Sequence, residues 1–129
     1  WSSDVCSSDL FLKDAADPQW KDDAAVKDYL AFMKQYNPGA NPADTMNVYG
    51  YASAQTMVQV LRQCGDELTR ENLMKQAASM KDLVVPLLLP GIKMNTSPTD
   101  FYPIQSVQLA RFDGETWRLF GDVLSSEGT

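Results

Sequence analysis

The residue types that could do chemistry are few in this chain. There is no histidine among its 129 residues, which removes the most frequent general base and the commonest metal ligand. Carboxylates are the main candidates for cation binding, and a group of them lies near the start. They are Asp14, Asp17, Asp22, Asp23 and Asp28. Their spacing lacks the central glycine and terminal glutamate of a calcium-binding loop, so we expect a solvated acidic face and no metal site.

A second polar group lies in the segment NTSPTD, which contains Thr96 and Asp100. A hydroxyl beside a carboxylate acts in catalysis only with a general base within reach, and the sequence offers none. We therefore expect a turn or hinge here. The sequence predicts no catalytic residue and no cofactor.

The first ten residues, WSSDVCSSDL, are unlike the rest of the chain. The same peptide is encoded by TGG AGT TCA GAC GTG TGC TCT TCC GAT CT, which looks like the end of a sequencing adapter. We interpret residues 1–10 as an artefactual adapter-derived segment and expect it not to pack against the remainder. Cys64 is then the single natural cysteine, so we expect no Cys6–Cys64 disulfide and a small buried side chain at position 64.

The charge balance limits the classes of partner. Without Asp4 and Asp9, the chain carries 15 acidic and 11 basic residues, a net charge of −4. This balance argues against nucleic acid and against an anionic membrane surface, because both require clustered Lys and Arg. The longest apolar run, LVVPLLLPGI, is too short for a membrane-spanning helix and contains two prolines. We expect no membrane insertion.

Three helices are predicted from periodicity and capping residues. The first has Asp22 or Asp23 as its N-cap and ends at residues 37–39, with one apolar face formed by Val26, Tyr29, Leu30, Met33 and Tyr36. The second runs from about Val48 to Cys64, and its expected buried face consists of Tyr51, Ala54, Met57 or Val58, Leu61 and Cys64. The third begins after Thr69, which is its predicted N-cap.

The chain after Asp82 favours extended structure. Ile92–Met94 is a candidate short strand, and Val107 and Leu109 alternate with Gln108 and Ala110. Asp113-Gly114 predicts a hairpin turn, after which the chain returns at Trp117. We expect Val107 and Leu109 on the buried face of this hairpin, with Trp117 packed beside them, and a positive φ at Gly114.

Three runs in this order resemble a known family: NVYGYASAQTMVQVL, LPGIKMNTSPTDFYPI and QLARFDGETWRLFG. They are similar to the C-terminal part of the branched-chain amino-acid type of periplasmic binding protein. The resemblance implies an α/β fold of the type I two-lobed class, with three helices, short strands and a terminal β-hairpin. We divide the chain into the adapter-derived residues 1–10, a partial binding-protein domain over 11–121 and a tail over 122–129.

In this family the chain crosses between two lobes that close on a small ligand. The resemblance implies that residues 11–20 lie near the second crossing and residues 95–103 form the third. It also places the start of the second helix at the cleft, where Asn47 and Tyr49 are the candidate ligand-binding residues. Ordinary packing at the helix start is the alternative for both.

The function implied by the resemblance is that of an extracytoplasmic, periplasmic solute-binding component of an ABC uptake transporter. Its partners would be a small amino-acid-like or amide-like solute and a membrane permease. We expect the chain not to be competent alone, because most ligand contacts would lie in a preceding part. A ligand-sensing receptor or regulator lobe of the same fold is the alternative. A small hydrolase is a third hypothesis, weakened by the lack of a nucleophile–base pair.

Overall fold

The computed structural model describes residues 7–126, which form a mixed α/β arrangement. Three helices are followed by a hairpin, as the sequence predicts, and a strand precedes them. In chain order the elements are β1 (Ser7–Leu10), a 3-10 turn (Pro18–Trp20), α1 (Ala24–Tyr36), α2 (Thr45–Cys64), α3 (Arg70–Ala77), β2 (Ser106–Phe112) and β3 (Trp117–Ser125).

Each helix begins at a side chain that caps its first turn. The Asp23 carboxylate accepts a hydrogen bond from the backbone N–H of Val26, and Thr69 accepts one from Asn72. These two caps confirm the prediction, because capping satisfies an N–H that has no partner inside the helix. The second helix is capped by Asp44 and so begins three residues before the predicted Val48.

The buried faces of α1 and α2 differ from prediction to different degrees. On α1, Val26, Tyr29 and Met33 are buried as expected, whereas Leu30 and Tyr36 are exposed. On α2 the fully buried residues are Val48, Ala52, Val60 and Cys64. Of the predicted face, Cys64 is buried and Tyr51 is partly buried against the core, whereas the expectation is wrong at Ala54, Met57, Val58 and Leu61, which are exposed. Apolar residues occur all round this helix, so its periodicity does not select the side that finds partners.

The strands form one antiparallel sheet in the order β1-β2-β3. Gly114 has φ +99°, as predicted for the turn. The Asp113 carboxylate accepts hydrogen bonds from the backbone of Thr116, from Arg118 and from the backbone of Glu115, which together lower its pKa to about 2. The hairpin turn at Asp113-Gly114 is therefore confirmed.

The buried face of the hairpin is not the one expected. Ala110 is fully buried, whereas Val107 and Leu109 are only half-buried. Neighbouring residues of a strand point to opposite faces, so Leu109 lies on the side away from Ala110. Trp117 packs against Phe112, with ring centroids 5.4 Å apart.

The strand β1 corrects the expectation for the first ten residues. It pairs antiparallel with β2, from Ser7 opposite Arg111 to Leu10 opposite Gln108. Leu10 packs against the core, and the backbone of residues 7–10 is joined to the rest of the chain by this pairing. Trp1 to Cys6 lie outside the described residues. The strand β3 continues through Ser125, beyond the boundary at residue 121 expected for the tail.

An irregular apolar segment, residues 83–94, forms the centre of the core. Leu87, Leu88, Leu89 and Ile92 are buried in it, against Tyr29 of α1. No strand forms over Ile92–Met94. Met94 instead makes isolated bridges to Leu83 and Ile104, because Pro86 and Pro90 interrupt any longer ladder.

Two smaller expectations concern Cys64 and the membrane. Cys64 is a buried free thiol at the end of α2, as predicted. None of the helices within residues 7–126 combines the length and the apolar character that crossing a bilayer would require.

Candidate functional site

A cavity of about 180 Å³ lies beside the first turns of α2. We call it the Tyr49 cavity. Its walls come from the entry segment, from α2, from the apolar core segment and from the chain before β2. The lining residues are Phe11, Leu12, Tyr49, Ala52, Ser53, Thr56, Val85, Leu88, Met94, Pro103 and Ile104.

The entry segment is held against the core by main-chain hydrogen bonds. Leu12 forms an antiparallel bridge with Leu88, Lys13 donates its N–H to the Leu87 carbonyl at 2.9 Å, and Leu89 donates to the Phe11 carbonyl at 2.9 Å. These bonds place Phe11 and Leu12 in the cavity wall. They join positions more than seventy residues apart, so no local sequence signal reveals them.

The Lys13 side chain reinforces this attachment. Its ammonium group lies 2.8 Å from the Asp23 carboxylate, donates to the Pro86 carbonyl at 2.8 Å and lies 5.4 Å from the centre of the Trp20 ring. The hydrogen bond from Lys13 is the main reason that the pKa of Asp23 lies below its usual value of 3.8. A buried lysine is stable here because each contact compensates the loss of hydration.

The opposite wall is held by the loop NTSPTD and its flanks. Asn95 donates its N–H to the Pro103 carbonyl at 3.0 Å, next to the bridge between Met94 and Ile104. The Thr96 hydroxyl donates to the Ala77 carbonyl at 2.7 Å and accepts from the Met80 N–H. Asp100 accepts from the Tyr102 N–H and from the Gln105 amide. Both polar residues have structural partners, in agreement with the predicted turn.

The chemistry of the Tyr49 cavity is that of an uncharged, largely apolar pocket. Thr56 Oγ1 lies 2.9 Å from the Ala52 carbonyl and 3.5 Å from the Met94 sulfur. Within residues 7–126 the Tyr49 hydroxyl has no hydrogen-bond partner, and the side chain is about half exposed. This arrangement can hold the apolar part of a small molecule and offer it one hydroxyl. None of the lining residues is charged, so a carboxylate or ammonium group would need another partner.

The two candidate ligand-binding residues have different positions. Tyr49 lines the cavity, as described. Asn47 is half-buried and donates from its side-chain amide to the Asn41 carbonyl at 2.9 Å, which ties the preceding loop to α2. It is not one of the residues lining the cavity. The structure therefore brings Phe11, Leu12, Pro103 and Ile104 to Tyr49, residues that sequence reasoning did not select.

The acidic residues near the start are used in local structure. Asp17 accepts from the Gln19 N–H at 2.9 Å and is buried, and Asp23 caps α1. These two depart from the solvated face expected for the group, whereas Asp14, Asp22 and Asp28 are exposed. In the part of the chain that the structure describes, no cluster of three or more His, Cys, Asp or Glu side chains could hold a metal ion.

Comparison with known proteins identifies one family. A family model described as periplasmic binding protein matches residues 11–116. That range includes every wall of the Tyr49 cavity and begins directly after the adapter-like residues. Searches among curated proteins and among solved structures found no match.

Proposed function

This chain belongs to the periplasmic binding protein family, and from that premise we propose that it is the extracytoplasmic solute-binding component of an ABC uptake transporter. Family membership supports the binding of a small molecule and an extracytoplasmic location. The family is in general non-enzymatic. The transporter context, the permease as partner and the class of solute are parts of the proposal.

The observation that carries the proposal is the position of the Tyr49 cavity. It lies where the entry segment and the chain at residues 94–104 meet the first turns of α2. The resemblance assigns these two segments to the second and third crossings between lobes. A ligand contacting Tyr49 would therefore touch the segments about which two lobes close, and closure around such crossings is a hinge motion.

The lining supports an amino-acid-like or amide-like solute with a small apolar part. A volume of about 180 Å³ is below the usual size of a complete small-molecule site, so this cavity accounts for one part of the ligand. The uncharged wall fits an aliphatic or aromatic side chain. The polar groups of the solute would be bound by residues outside this cavity, and we place them on the other lobe.

The test uses the polypeptide encoded by the complete reading frame in which residues 11–129 occur. Titration calorimetry with leucine, other amino acids and short amides should identify a solute that binds. We expect Tyr49→Ala to weaken its binding about tenfold, since an aromatic contact and a hydroxyl are lost. Tyr36→Ala is the matched control, because Tyr36 is exposed at the end of α1 and lies outside the cavity lining and both crossings.

Each result has a distinct meaning. Failure of every solute to bind would contradict the function, whereas equal binding by wild type and Tyr49→Ala would contradict the site alone. Turnover of esters or amides by the same protein would replace the proposal with an enzymatic function.

A further inference from the structure

The edge of β2 that faces away from β3 is occupied by β1. This strand, Ser7–Leu10, belongs to the ten residues that we interpret as adapter-derived. It lies antiparallel on β2, from Ser7 opposite Arg111 to Leu10 opposite Gln108. A peptide of foreign origin thus takes the place of a sheet strand, which raises the question of what occupies this edge in the natural protein.

The main-chain groups of Ala110 point to the edge that β1 occupies. Asp113 donates its N–H to the Thr116 carbonyl at 3.1 Å, across the hairpin. Hydrogen-bonded and non-hydrogen-bonded pairs alternate along an antiparallel ladder, so Arg111, two residues before Asp113, is again hydrogen-bonded to β3. Ala110 lies between them, and its N–H and C=O therefore face β1.

This edge needs a partner, because Ala110 is fully buried. A buried N–H or C=O without a hydrogen bond is unfavourable, since water cannot replace the missing partner. An open edge would also expose β2 to pairing with other chains. A strand must therefore lie on β2 wherever Ala110 is buried as it is here.

The entry segment determines which part of the chain can supply that strand. The Phe11 carbonyl accepts a hydrogen bond from the Leu89 N–H, and the Lys13 N–H donates to the Leu87 carbonyl, both at 2.9 Å. Main-chain groups alternate in direction along an extended chain, so those of residues 8 and 10 point to the opposite side, toward β2. The contacts that fix this direction lie within residues 11–116, which match the family.

From these observations we propose that the natural residues directly before Phe11 form the edge strand of this sheet, in the register that β1 shows. The occupant is a segment of the same polypeptide. Leu10 packs against the core, so the natural residue at its position is uncharged. Neither that residue nor the one two positions earlier is proline, because each donates its N–H to β2.

The proposed strand leads directly into the wall of the Tyr49 cavity. Phe11 and Leu12 line that cavity, and Leu12 is bridged to Leu88. Pairing with β2 on one side and with the core segment on the other would hold this wall in place. The preceding segment is thus a positioning element of the cavity, whichever solute binds there.

Amide hydrogen exchange of the polypeptide encoded by the complete reading frame tests whether the edge is occupied. The Ala110 N–H points to the proposed strand, and the Arg111 N–H points to β3 and is the internal control. We expect the two exchange rates, corrected for their intrinsic values, to agree within about tenfold. Exchange at Ala110 that is faster by more than this would show an open edge and overturn the proposal.

A disulfide tests which segment occupies the edge and in which register. The second residue before Phe11 lies opposite Leu109 in the present pairing. This pair exchanges no hydrogen bonds, so its Cα atoms are about 4.5 Å apart, within the range that a disulfide spans. A cysteine placed at that natural position should form an intramolecular disulfide with Leu109→Cys. Gln108→Cys is the matched control and should form none, because neighbouring residues of a strand point to opposite faces.

The outcomes separate the possible occupants. A disulfide with Leu109→Cys alone, within one molecule, supports the proposal. A disulfide only between two molecules would assign the edge to a second copy, and equal reaction of the two cysteines would contradict the register. A proline at either position, or WSSDVCSSDL itself in the genomic sequence, would also overturn the proposal. None of these results depends on solute binding, so they are distinguishable from a failure of the proposed function.

Discussion

The two sides of α2 have similar composition and opposite environments. On one side Val48, Ala52 and Val60 are buried, and Tyr49 and Thr56 border the small cavity. On the other side Val58 and Leu61 are exposed, and an open groove runs between Val58 and residues 83–86. The difference shows that apolar character alone does not decide which face of a helix is covered. The partner segments that reach it decide this.

The partners of the covered side come from distant parts of the chain. Residues 85–94 pack against α2, and the entry segment is hydrogen-bonded to residues 87–89. On the groove side, residues 83–86 form only one wall. We therefore expect substitutions on the covered side to lower the free energy of unfolding more than substitutions on the groove side.

The largest effect is expected in the core segment that covers α2. Leu87→Ala should lower the free energy of unfolding by about 2–5 kcal/mol, because Leu87 is fully buried and its loss leaves a cavity. Leu61→Ala, at a position 41% exposed on the other side of α2, should change it by less than about 1 kcal/mol. Urea unfolding of both variants makes the comparison. Equal losses would mean that the two sides are equally packed.

A smaller effect is expected from the attachment of the entry segment. Lys13→Met removes the hydrogen bonds to Asp23 and to the Pro86 carbonyl, and should lower stability at pH 7 by about 1–3 kcal/mol. The exposed pair of Lys27 with Asp22 provides a control. Lys27→Met should cost less than about 0.5 kcal/mol, since surface ion pairs contribute little.

The same variant predicts a change in the pH dependence of stability. The pKa of Asp23 is lowered in the folded protein, mainly by the hydrogen bond from Lys13. A carboxyl group with a lowered pKa stabilises the fold above its usual pKa of 3.8, and this contribution is lost as the pH falls through the folded value. As the pH falls below about 5, the free energy of unfolding should therefore decrease less in Lys13→Met than in the wild type. A parallel acid profile would contradict the assigned pairing.

An effect of similar size is expected when the same substitution is made on each side of α2. Val48→Ala should cost about 1.5–2 kcal/mol, from two buried carbon atoms at about 0.8 kcal/mol each. Val58→Ala should stay within about 0.5 kcal/mol, because Val58 is already in contact with water. Helix propensity changes equally in both, so thermal or urea unfolding isolates the packing term. A larger loss for Val58→Ala would reverse the comparison.

Sequence reasoning predicts the local features of this fold well. The caps at Asp23 and Thr69 and the turn at Asp113-Gly114 all depend on hydrogen bonds or φ values within a few residues. The start of α2 was misplaced because Asp44 lies in a loop with two Asn-Pro turns, which hides the cap. Family membership was also recognisable, since it rests on the order and spacing of short runs.

The sequence predicts less well which face of a helix or strand is buried and which residues line the cavity. The physical reason is different. A shift of one residue in the register of a strand moves every side chain to the opposite face of the sheet. Ala110 is therefore buried where Val107 and Leu109 were expected to be. On α2 either side is apolar enough to be buried. Tyr49 was selected through the resemblance, but the residues around it come from segments far apart in the chain.

The amino-acid sequence by itself determined the N-caps of the first and third helices and the position of the hairpin turn, because capping and turn geometry act over a few residues. It also determined the family, through runs in a particular order. Only the tertiary structure decided which side of α2 is covered, how Lys13 reaches both Asp23 and Pro86, and which segments meet at Tyr49. These depend on contacts between residues ten to ninety positions apart, whose pairing follows from packing the whole chain.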